Sequence, residues 1–440
     1  MTHVRFLLLT VFLLVPSLAS AEQTLFRIHG SNTVGAQLAP ELIKAWLRTR
    51  GYTEVTVRER APQESVIRAA GDGLEPVRIE LQAHGSSTSF KGLKAGAADI
   101  GMSSRPIKDK EVEALRRFGD MRSPHAEYVV GLDGIAVIVN RANAVQALDT
   151  GTIADIFAGR IRDWSEVGGR PGPIHVYARD DKSGTYDTFR SLVLGKKTPL
   201  VEGAKRYESN ADLSDDVSRD PAGIGFVGLP YVRDSRALVV ADGEARPIPP
   251  QAFSVATEDY ALARRLFLYL PEHGANTAAR EFAEFAVSHA GQDVVDTVGF
   301  VSQRIIEGEL QLSRSEGYPD EYLDFTDGAR RLSLNFRFTA GSIQLDNKAR
   351  RDLERLVAYM RDAQNRGRHL MLLGFADSNE VLPMHALELS ISRSDVVADT
   401  LIRNGIDPMR VRGYGAAVPV ASNEDSKGRN KNRRVEVWVR

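Results

Sequence analysis

The chain has 440 residues, of which 42% are hydrophobic and 26% charged, a balance that excludes a membrane-embedded or a disordered protein. It has no cysteine, which excludes disulfides, thiolate metal sites, iron–sulfur clusters, a cysteine nucleophile and a lipid-acceptor cysteine. The net charge of −1 is unevenly divided: residues 331–440 carry 19 Lys and Arg against 13 Asp and Glu, a net of +6, and residues 22–330 carry 37 against 45, a net of −8.

The first 21 residues read as a secretory signal. Arg5 supplies the positive start, Phe6 to Val15 is an apolar run too short to span a bilayer, and Ala19-Ser20-Ala21 offers small residues for cleavage before Glu22. Nothing after it is apolar for long enough to span, so the mature protein is expected to be exported and not membrane-spanning.

Residues 22–310 form the first expected unit. Short β-rich runs (Leu25–Ile28, Glu54–Val57, Ile79–Leu81, Gly134–Val139, Ile174–Tyr177, Ile224–Val227) alternate with helical stretches such as Ala39–Arg50, Tyr186–Leu194 and Thr277–Val287. That alternation predicts an α/β fold with a largely parallel sheet, and its size predicts two lobes. Residues 311–330 lack periodicity and contain Gly, Pro and Ser, which predicts a linker. If flexible, about 20 residues would hold two units within roughly 25 Å of each other. Residues 331–440 then read as βαβαββ: strand Leu332–Phe338, helix Asn347–Gln364, strand His369–Ala376, helix Leu387–Asn404, and strands Val411–Tyr414 and Arg434–Val439.

Three turns of the first unit share one design, in which a β-run ends in Gly and hydroxylated residues and a helix begins. They are Gly30-Ser31-Asn32-Thr33-Val34-Gly35, Gly85-Ser86-Ser87-Thr88 and Ser183-Gly184-Thr185. Helix starts expose unpaired N–H groups and the positive end of the macrodipole, hydroxyls add donors, and Gly lets the backbone approach closely. One such turn is an ordinary N-cap; three in one α/β unit point to an anion seat where strand ends converge. Arg179, four residues before Ser183, can add a planar fork to an oxyanion.

With Ala98-Asp-Ile-Gly-Met-Ser-Ser104-Arg-Pro106 and Gly225-Phe-Val-Gly, these segments make residues 24–305 resemble the phosphate-binding periplasmic proteins of Pst-type ABC transporters. The resemblance implies a type II two-lobed periplasmic binding protein. It implies that Thr33, Val34, Ser86, Arg179, Ser183, Gly184 and Thr185 contact phosphate, that Asp181 braces Arg179, and that an ABC permease is a candidate partner. One departure is Ser104, included in the anion site, where the family carries an acid. Serine can accept the proton of hydrogen phosphate but repels nothing, so discrimination against sulfate is expected to be poorer. Arg105 either adds charge to the cleft or pairs with a surface acid.

Catalysis is not expected. There is no Gly-x-Ser-x-Gly elbow, none of the nine His residues is placed by a motif as a base, and no His-Glu-x-x-His spacing occurs. No metal or other cofactor is expected. Nor is a nucleic-acid partner, because the basic residues of the second unit are spread among carboxylates rather than gathered in a stripe.

The second unit carries Phe338-Thr-Ala-Gly-Ser342, Gly374-Phe-Ala-Asp377-Ser-Asn379, Leu389-Ser-Ile-Ser-Arg393, Gly413-Tyr-Gly415 and Gly428-Arg-Asn-Lys-Asn432-Arg-Arg-Val-Glu436. This resembles the OmpA-like peptidoglycan-binding domain. The resemblance implies that Asp377 and Arg393 hold the ammonium and carboxylate of a diaminopimelate stem peptide, a zwitterion that needs one acid and one base. Phe375-Ala376 replaces the family's His-Thr, and the loop from Asp377 to Leu389 is one residue longer. Asn432 and Arg433 are expected to fix the last strand rather than touch ligand.

The expected whole is a phosphate or similar oxyanion binder held non-covalently to peptidoglycan in the periplasm of a Gram-negative bacterium. The alternative is a wall-anchored sensor, adhesin or scaffold whose first unit binds another ligand.

Overall fold

The structure is a computed structural model that describes residues 22–181, 183–195, 197–308 and 317–440. The expected signal, residues 1–21, and the first part of the expected linker lie outside the described residues.

The chain enters on β1 (Gln23–Gly30), which turns Phe26 and Ile28 into the first core. A meander of β2 (Glu54–Ala61), β3 (Glu64–Gly71) and β4 (Leu74–Gln82) follows, then β5 (Ile100–Ser103). β6 (Glu127–Val139) runs from the first lobe into the second and is buried almost throughout. The second lobe adds β7 (Ala147–Asp149), β8 (His175–Arg179), β9 (Lys205–Tyr207), β10 (Gly223–Gly228), β11 (Arg236–Ala237) and β12 (Val239–Ala241). β13 (Ala263–Tyr269) returns to the first lobe antiparallel to β6.

An 11-stranded sheet runs through both lobes in the order β2-β3-β4-β1-β5-β13-β6-β10-β8-β9, with β11 on β6. It is mixed, not largely parallel as expected. The β4-β1-β5 and β10-β8-β9 runs are parallel; the rest of the ladder is antiparallel. The meander departs for a local reason: two-residue turns at Pro62-Gln63 and Asp72-Gly73 leave no room for a crossover, and Gln63 and Gly73 take positive φ there (65° and 72°).

Two cores divide along β6 and β13. Val130 and Leu266 belong to the first, around Phe26, Trp46 and Phe282; Leu132 and Ala263 belong to the second, around Phe157, Phe189 and Phe226. Each buried Phe contributes on the order of 1.5–3 kcal/mol. The chain therefore passes between the lobes at residue 131 on β6 and residues 264–265 on β13.

The second domain is a five-stranded sheet in the order β14 (Glu307–Gly308), β15 (Arg330–Arg337), β18 (Arg434–Val439), β16 (Leu370–Gly374), β17 (Arg410–Gly413). Helices Asn347–Arg361 and Pro383–Arg403 cover one face, and a short helix, Ser426–Asn432, precedes the last strand. Asp346 caps the first of these by accepting from Ala349 N–H at 2.8 Å, and its Leu353, Leu356 and Val357 pack on Leu334, Phe336 and Val437.

The expected linker is corrected here. Glu307 and Gly308 already pair with β15, and Asp320–Thr326 is a helix. That helix closes the sheet's other face: Tyr318 and Tyr322 pack with Met371, Leu373, Phe375 and Trp438, and Tyr322 donates to Glu436 at 2.7 Å. The stretch lacks amphipathic periodicity because two tyrosines suffice to anchor so short a helix.

β15 explains how the domains join. Its even residues Leu332, Leu334 and Phe336 face the helices, yet its odd residues Arg331, Ser333, Asn335 and Arg337 are buried as well. The odd face packs on the turn that precedes β13. Arg331 pairs with Asp259 at 2.7 Å, Asn335 donates to Asp259 and to Thr257 O, and Arg337 donates to Thr257 O. Arg265 bridges Glu258 and Asp346, each at 2.7 Å, and Lys431 Nζ donates to Tyr260 O and Ala261 O. The second domain also reaches both lobes: Asn347 donates to Arg122 O, Arg351 pairs with Glu284, and Ser422 N–H donates to Asp242. The two domains are a docked pair, not beads on a flexible string. Among the described residues no helix is long and apolar enough to cross a membrane.

Candidate functional site

The three hydroxyl turns sit where the sequence places them, at strand ends. β1 must end in glycine: Gly30 has φ +144°, and a Cβ there would lie 2.0 Å from Met102 O of β5. Ser31 follows, its Oγ buried without a hydrogen-bond partner among the described residues, and a π-helical turn, Val34–Leu38, leads into the helix Ala39–Thr49. The second turn starts the helix Ser86–Ala95. Ser86 Oγ lies 3.2 Å from Ser104 Oγ and accepts from Ser104 N–H at 3.0 Å, so these two expected site residues are together at the β5 end. In the third, Ser183 caps the helix Gly184–Phe189 by accepting from Tyr186 N–H, and Thr185 is buried behind it.

The first and third turns meet across the lobes. A Cβ on Gly184 would stand 2.5 Å from Thr33 Oγ1, which only glycine permits. Tyr231 of the second lobe donates to Gln37 of the first at 2.6 Å. The cleft is therefore closed. Arg264, on the returning strand, knits it: it donates to Gly184 O at 2.8 Å, to Thr33 Oγ1 at 3.2 Å and to Thr188 Oγ1. Its counter-ion is Asp133, directly opposite on β6, at 2.6 Å.

Arg179 is 6% exposed. Two backbone carbonyls orient it, Tyr207 O at 3.3 Å from Nε and Glu208 O at 2.6 Å from Nη2. Among the described residues it has no carboxylate in salt-bridge contact. Asp181 does not brace it, contrary to expectation: Asp181 is exposed and pairs with Arg206 at 2.7 Å, because the turn after β8 carries it outward. Burial pushes the Arg179 guanidinium down from its usual range, and the nearby Arg264 charge adds to that, while Asp180, Tyr231 and Glu208 push it back. A buried cation held only by neutral groups is costly unless an anion joins it. Arg105 resolves the other way: it forks onto Glu111 at 2.7 and 2.8 Å and stacks over Phe90.

The second domain's pair, Asp377 and Arg393, is also brought together, but as a closed circuit. Both are fully buried. Arg393 grips both oxygens of Glu380, at 2.6 and 2.7 Å, and donates to Phe375 O and Ser342 O. Glu380 also accepts from Asp377 N–H and Gly341 N–H, each at 3.0 Å. Burial alone would push the Glu380 carboxyl up; its bonds to Arg393 and that residue's charge hold it below the usual carboxylate range. Asp377 accepts from Arg433 at 2.7 Å. Arg433 thus touches the expected site directly, whereas Asn432 does fix the neighbouring loop, through Val420 N–H and Ala421 N–H.

Residues 55–290 match the family described as the PBP superfamily domain. The chain is 34% identical to Protein SphX of Synechococcus elongatus over 237 residues, 51% of this chain and 69% of that protein.

The chain belongs to the PBP superfamily.

A second relative is the phosphate-binding protein PstS of Staphylococcus aureus, 28% identical over 234 residues, again 51% of this chain and 69% of that one. The crystal structure of an ABC-type phosphate transport receptor from Vibrio cholerae superposes with a TM-score of 0.50 at 23% identity, covering 62% of this chain and 98% of that one, a likeness of fold. Residues 337–433 match the OmpA family. PstS and the Vibrio receptor are named for binding and transport rather than for catalysis. Among the described residues no cluster of His, Asp and Glu could hold a metal ion.

The superfamily match begins after the first turn, so the placement of Thr33 and Val34 rests on geometry. The sequence reading misses Arg264, Asp133, Tyr231 and Glu380. Asp133 carries a usable signal, a lone acid inside the apolar run of β6. Arg264 and Tyr231 carry none beyond their type.

Proposed function

We propose that this protein binds phosphate, or a similar tetrahedral oxyanion, in the cleft between its lobes. The observation that carries the reading is Arg179: a buried guanidinium with carbonyl partners only, beside two helix starts that meet across a closed cleft. That guanidinium is left for an anion to pair with, and the hydroxyls of Ser31, Thr33, Ser86, Ser104, Ser183 and Thr185 with the N–H groups of Val34 and Gly184 are the donors a tetrahedral anion uses. The names of PstS and of the Vibrio receptor support phosphate as that anion.

The OmpA-family domain supports a place in the cell envelope, and the finer reading is a periplasmic protein of a Gram-negative cell that holds diaminopimelate stem peptides through Asp377 and Arg393. The docked domains favour a receptor fixed at the wall over a freely diffusing shuttle. An ABC permease as partner would require one within reach of the wall.

Calorimetric titration of the full chain with phosphate, sulfate and molybdate tests the cleft. Binding at micromolar or better, about −8 kcal/mol, is expected. No heat with any of the three at millimolar concentration would leave the sensor, adhesin or scaffold reading in its place.

A further inference from the structure

The cleft is shut around its own seat. Gly184 of lobe two stands against Thr33 of lobe one, Arg264 donates to both turns, and Tyr231 donates to Gln37 across the gap. A solute reaches the turns behind these contacts only when the lobes part. They swing about the strands that join them, β6 at residue 131 and β13 at residues 264–265. The second domain holds the molecule at the hinge, on lobe two and on lobe one.

At the hinge, Arg265 pairs with Glu258 and with Asp346, the residue that caps the helix Asn347–Arg361. On lobe two the hold is deep. Val420, 2% exposed, is part of that lobe's core. Ser422 N–H donates to Asp242 at 3.1 Å, and Asn423 donates to Glu244 Oε1 from its N–H at 3.2 Å and from its amide at 2.7 Å. Between those two acids Gly243 has φ +58°, and a Cβ there would lie 2.8 Å from Ser422 Cβ. Lys427 Nζ donates to Ser191 O, in the turn that continues the helix Gly184–Phe189. Asp259, held by Arg331, stands in the turn whose Tyr260 and Ala261 belong to the same core. On lobe one the hold is slight. Asn347 Nδ2 donates to Arg122 O at 2.7 Å and to Glu127 Oε1 at 3.2 Å. Arg351 pairs with the half-exposed Glu284 at 3.3 Å, its guanidinium 4.7 Å from the centre of the Tyr128 ring.

Both holds belong to one folded unit. Leu353, Leu356 and Val357 of the helix pack into the second domain's core, and Asn432, just before β18, accepts from Val420 N–H and Ala421 N–H. Helix and loop therefore cannot move apart as the lobes do, and one hold must break when the lobes swing. Opening buried pairs and drawing Val420 out of a core costs far more than losing exposed hydrogen bonds and a surface ion pair. The second domain travels with lobe two and lets go of lobe one.

We propose that the second domain is a brace on the cleft: carried on lobe two, it grips lobe one through Asn347 and Arg351 when the lobes are shut, and so biases the anion-free cleft towards the conformation that holds the anion. This rests on the oxyanion reading above. A cleft that is shut for only a fraction of the time binds with its intrinsic affinity reduced by that fraction. Contacts that touch no residue of the seat thus raise affinity and slow release by raising the fraction. By linkage, the bound anion tightens the grip on lobe one in return.

The test uses the full chain and inorganic phosphate. Asn347→Ala with Arg351→Ala removes the grip and leaves the seat untouched. Calorimetry should show phosphate bound about tenfold more weakly, the factor by which the shut fraction falls. Solution scattering should show the anion-free double variant more expanded than the anion-free wild type, with the difference vanishing on saturation with phosphate. Arg351→Glu alone should weaken binding, and Glu284→Arg added to it should restore most of the loss, a rescue that damage to the fold would not give. A double variant that binds phosphate as tightly as the wild type, or that is no more expanded without it, overturns the brace and leaves the anion reading standing. So does an Arg351→Glu loss that Glu284→Arg does not reverse. A wild type to which phosphate does not bind overturns the phosphate reading, and this inference with it.

Discussion

Arg179 and Arg393 are both buried arginines, one in each domain, and each sits where a ligand's carboxylate or phosphate is expected. Arg179 has carbonyl oxygens for partners; Arg393 has both oxygens of Glu380. The first is a cation short of a counter-ion, and the second carries its own. A guanidinium oriented by neutral groups and left unpaired is preorganised to take an anion from outside. One paired inside the chain can do so only after its internal partner leaves. The seam between the domains is of the second kind, with Arg331 on Asp259 and Arg265 on Glu258 and Asp346.

The contrast predicts opposite outcomes for the same substitution. Arg393→Ala strands the buried Glu380 charge, and removing one partner of a buried pair costs about 3–5 kcal/mol. The unfolding transition of the second domain, followed by calorimetric scanning of the full chain, should shift down accordingly. An unchanged scan would mean that Glu380 finds water in solution and that the pair is not closed.

Arg179→Ala should instead spare folding and weaken anion binding by about 2–5 kcal/mol, as for other desolvated charge pairs. Asp181→Ala is the control, because its pair with Arg206 is exposed and surface pairs are worth about 0–1 kcal/mol. Equal losses of affinity in the two variants would return Asp181 to the bracing role that the geometry denies it.

The seam adds a pH dependence. Burial alone would raise the Glu258 carboxyl, but the charge and hydrogen bonds of Arg265, with Lys348 and Arg337 behind, bring it down to about 2. A depressed carboxyl stabilises the folded state above its ordinary pKa and loses that contribution as pH falls towards the folded value. Between pH 6 and pH 3 the loss from this one group is about 2 kcal/mol. Urea unfolding at the two pH values should show it in the wild type and not in Glu258→Gln. A wild type whose acid loss equals the variant's would show that the seam opens before Glu258 titrates.

What the sequence reveals of these sites follows the range of the forces involved. The hydroxyl turns are readable because Gly, Ser and Thr at a strand end are local signals, and Arg179 because it stands four residues before one of them, whereas Asp377 and Arg393 come from the resemblance to the OmpA-like domain. Arg264 and Asp133 are 131 residues apart, and only the register of β13 on β6 makes them a pair. The meander is missed although Asp72-Gly73 is a hairpin turn in plain view. The helix at Asp320 is missed because the surface that buries Tyr318 and Tyr322 is made by Met371, Leu373 and Trp438, on strands that come much later. Burial of the odd face of β15 cannot be read from its alternation, which looks the same whether the polar side meets water or another domain.

The smallest expected effect bears most on how the second domain works. Glu380 lies in the loop after Asp377, the one that is a residue longer than its resemblance implies, and its carboxylate fills the place on Arg393 that a stem-peptide carboxylate would take. On the proposed wall-binding reading, a ligand at Arg393 would exchange with Glu380 rather than enter an empty seat, and the exchange would replace one charge-assisted pair by another with little net gain. Glu380→Ala removes the competitor. Co-sedimentation with diaminopimelate-type sacculi should tighten by about tenfold, roughly 1.4 kcal/mol, at some loss of thermal stability from the unpaired Arg393. Adding Arg393→Ala should abolish the gain, since the gain depends on a guanidinium free to fork onto a carboxylate. Raised salt separates this from diffuse attraction to the domain's positive charge, which is screened over about 8 Å at physiological strength while a desolvated pair is not. If Glu380→Ala sediments no better than the wild type, the loop swings aside without cost and the closed circuit around Arg393 is no barrier to the wall.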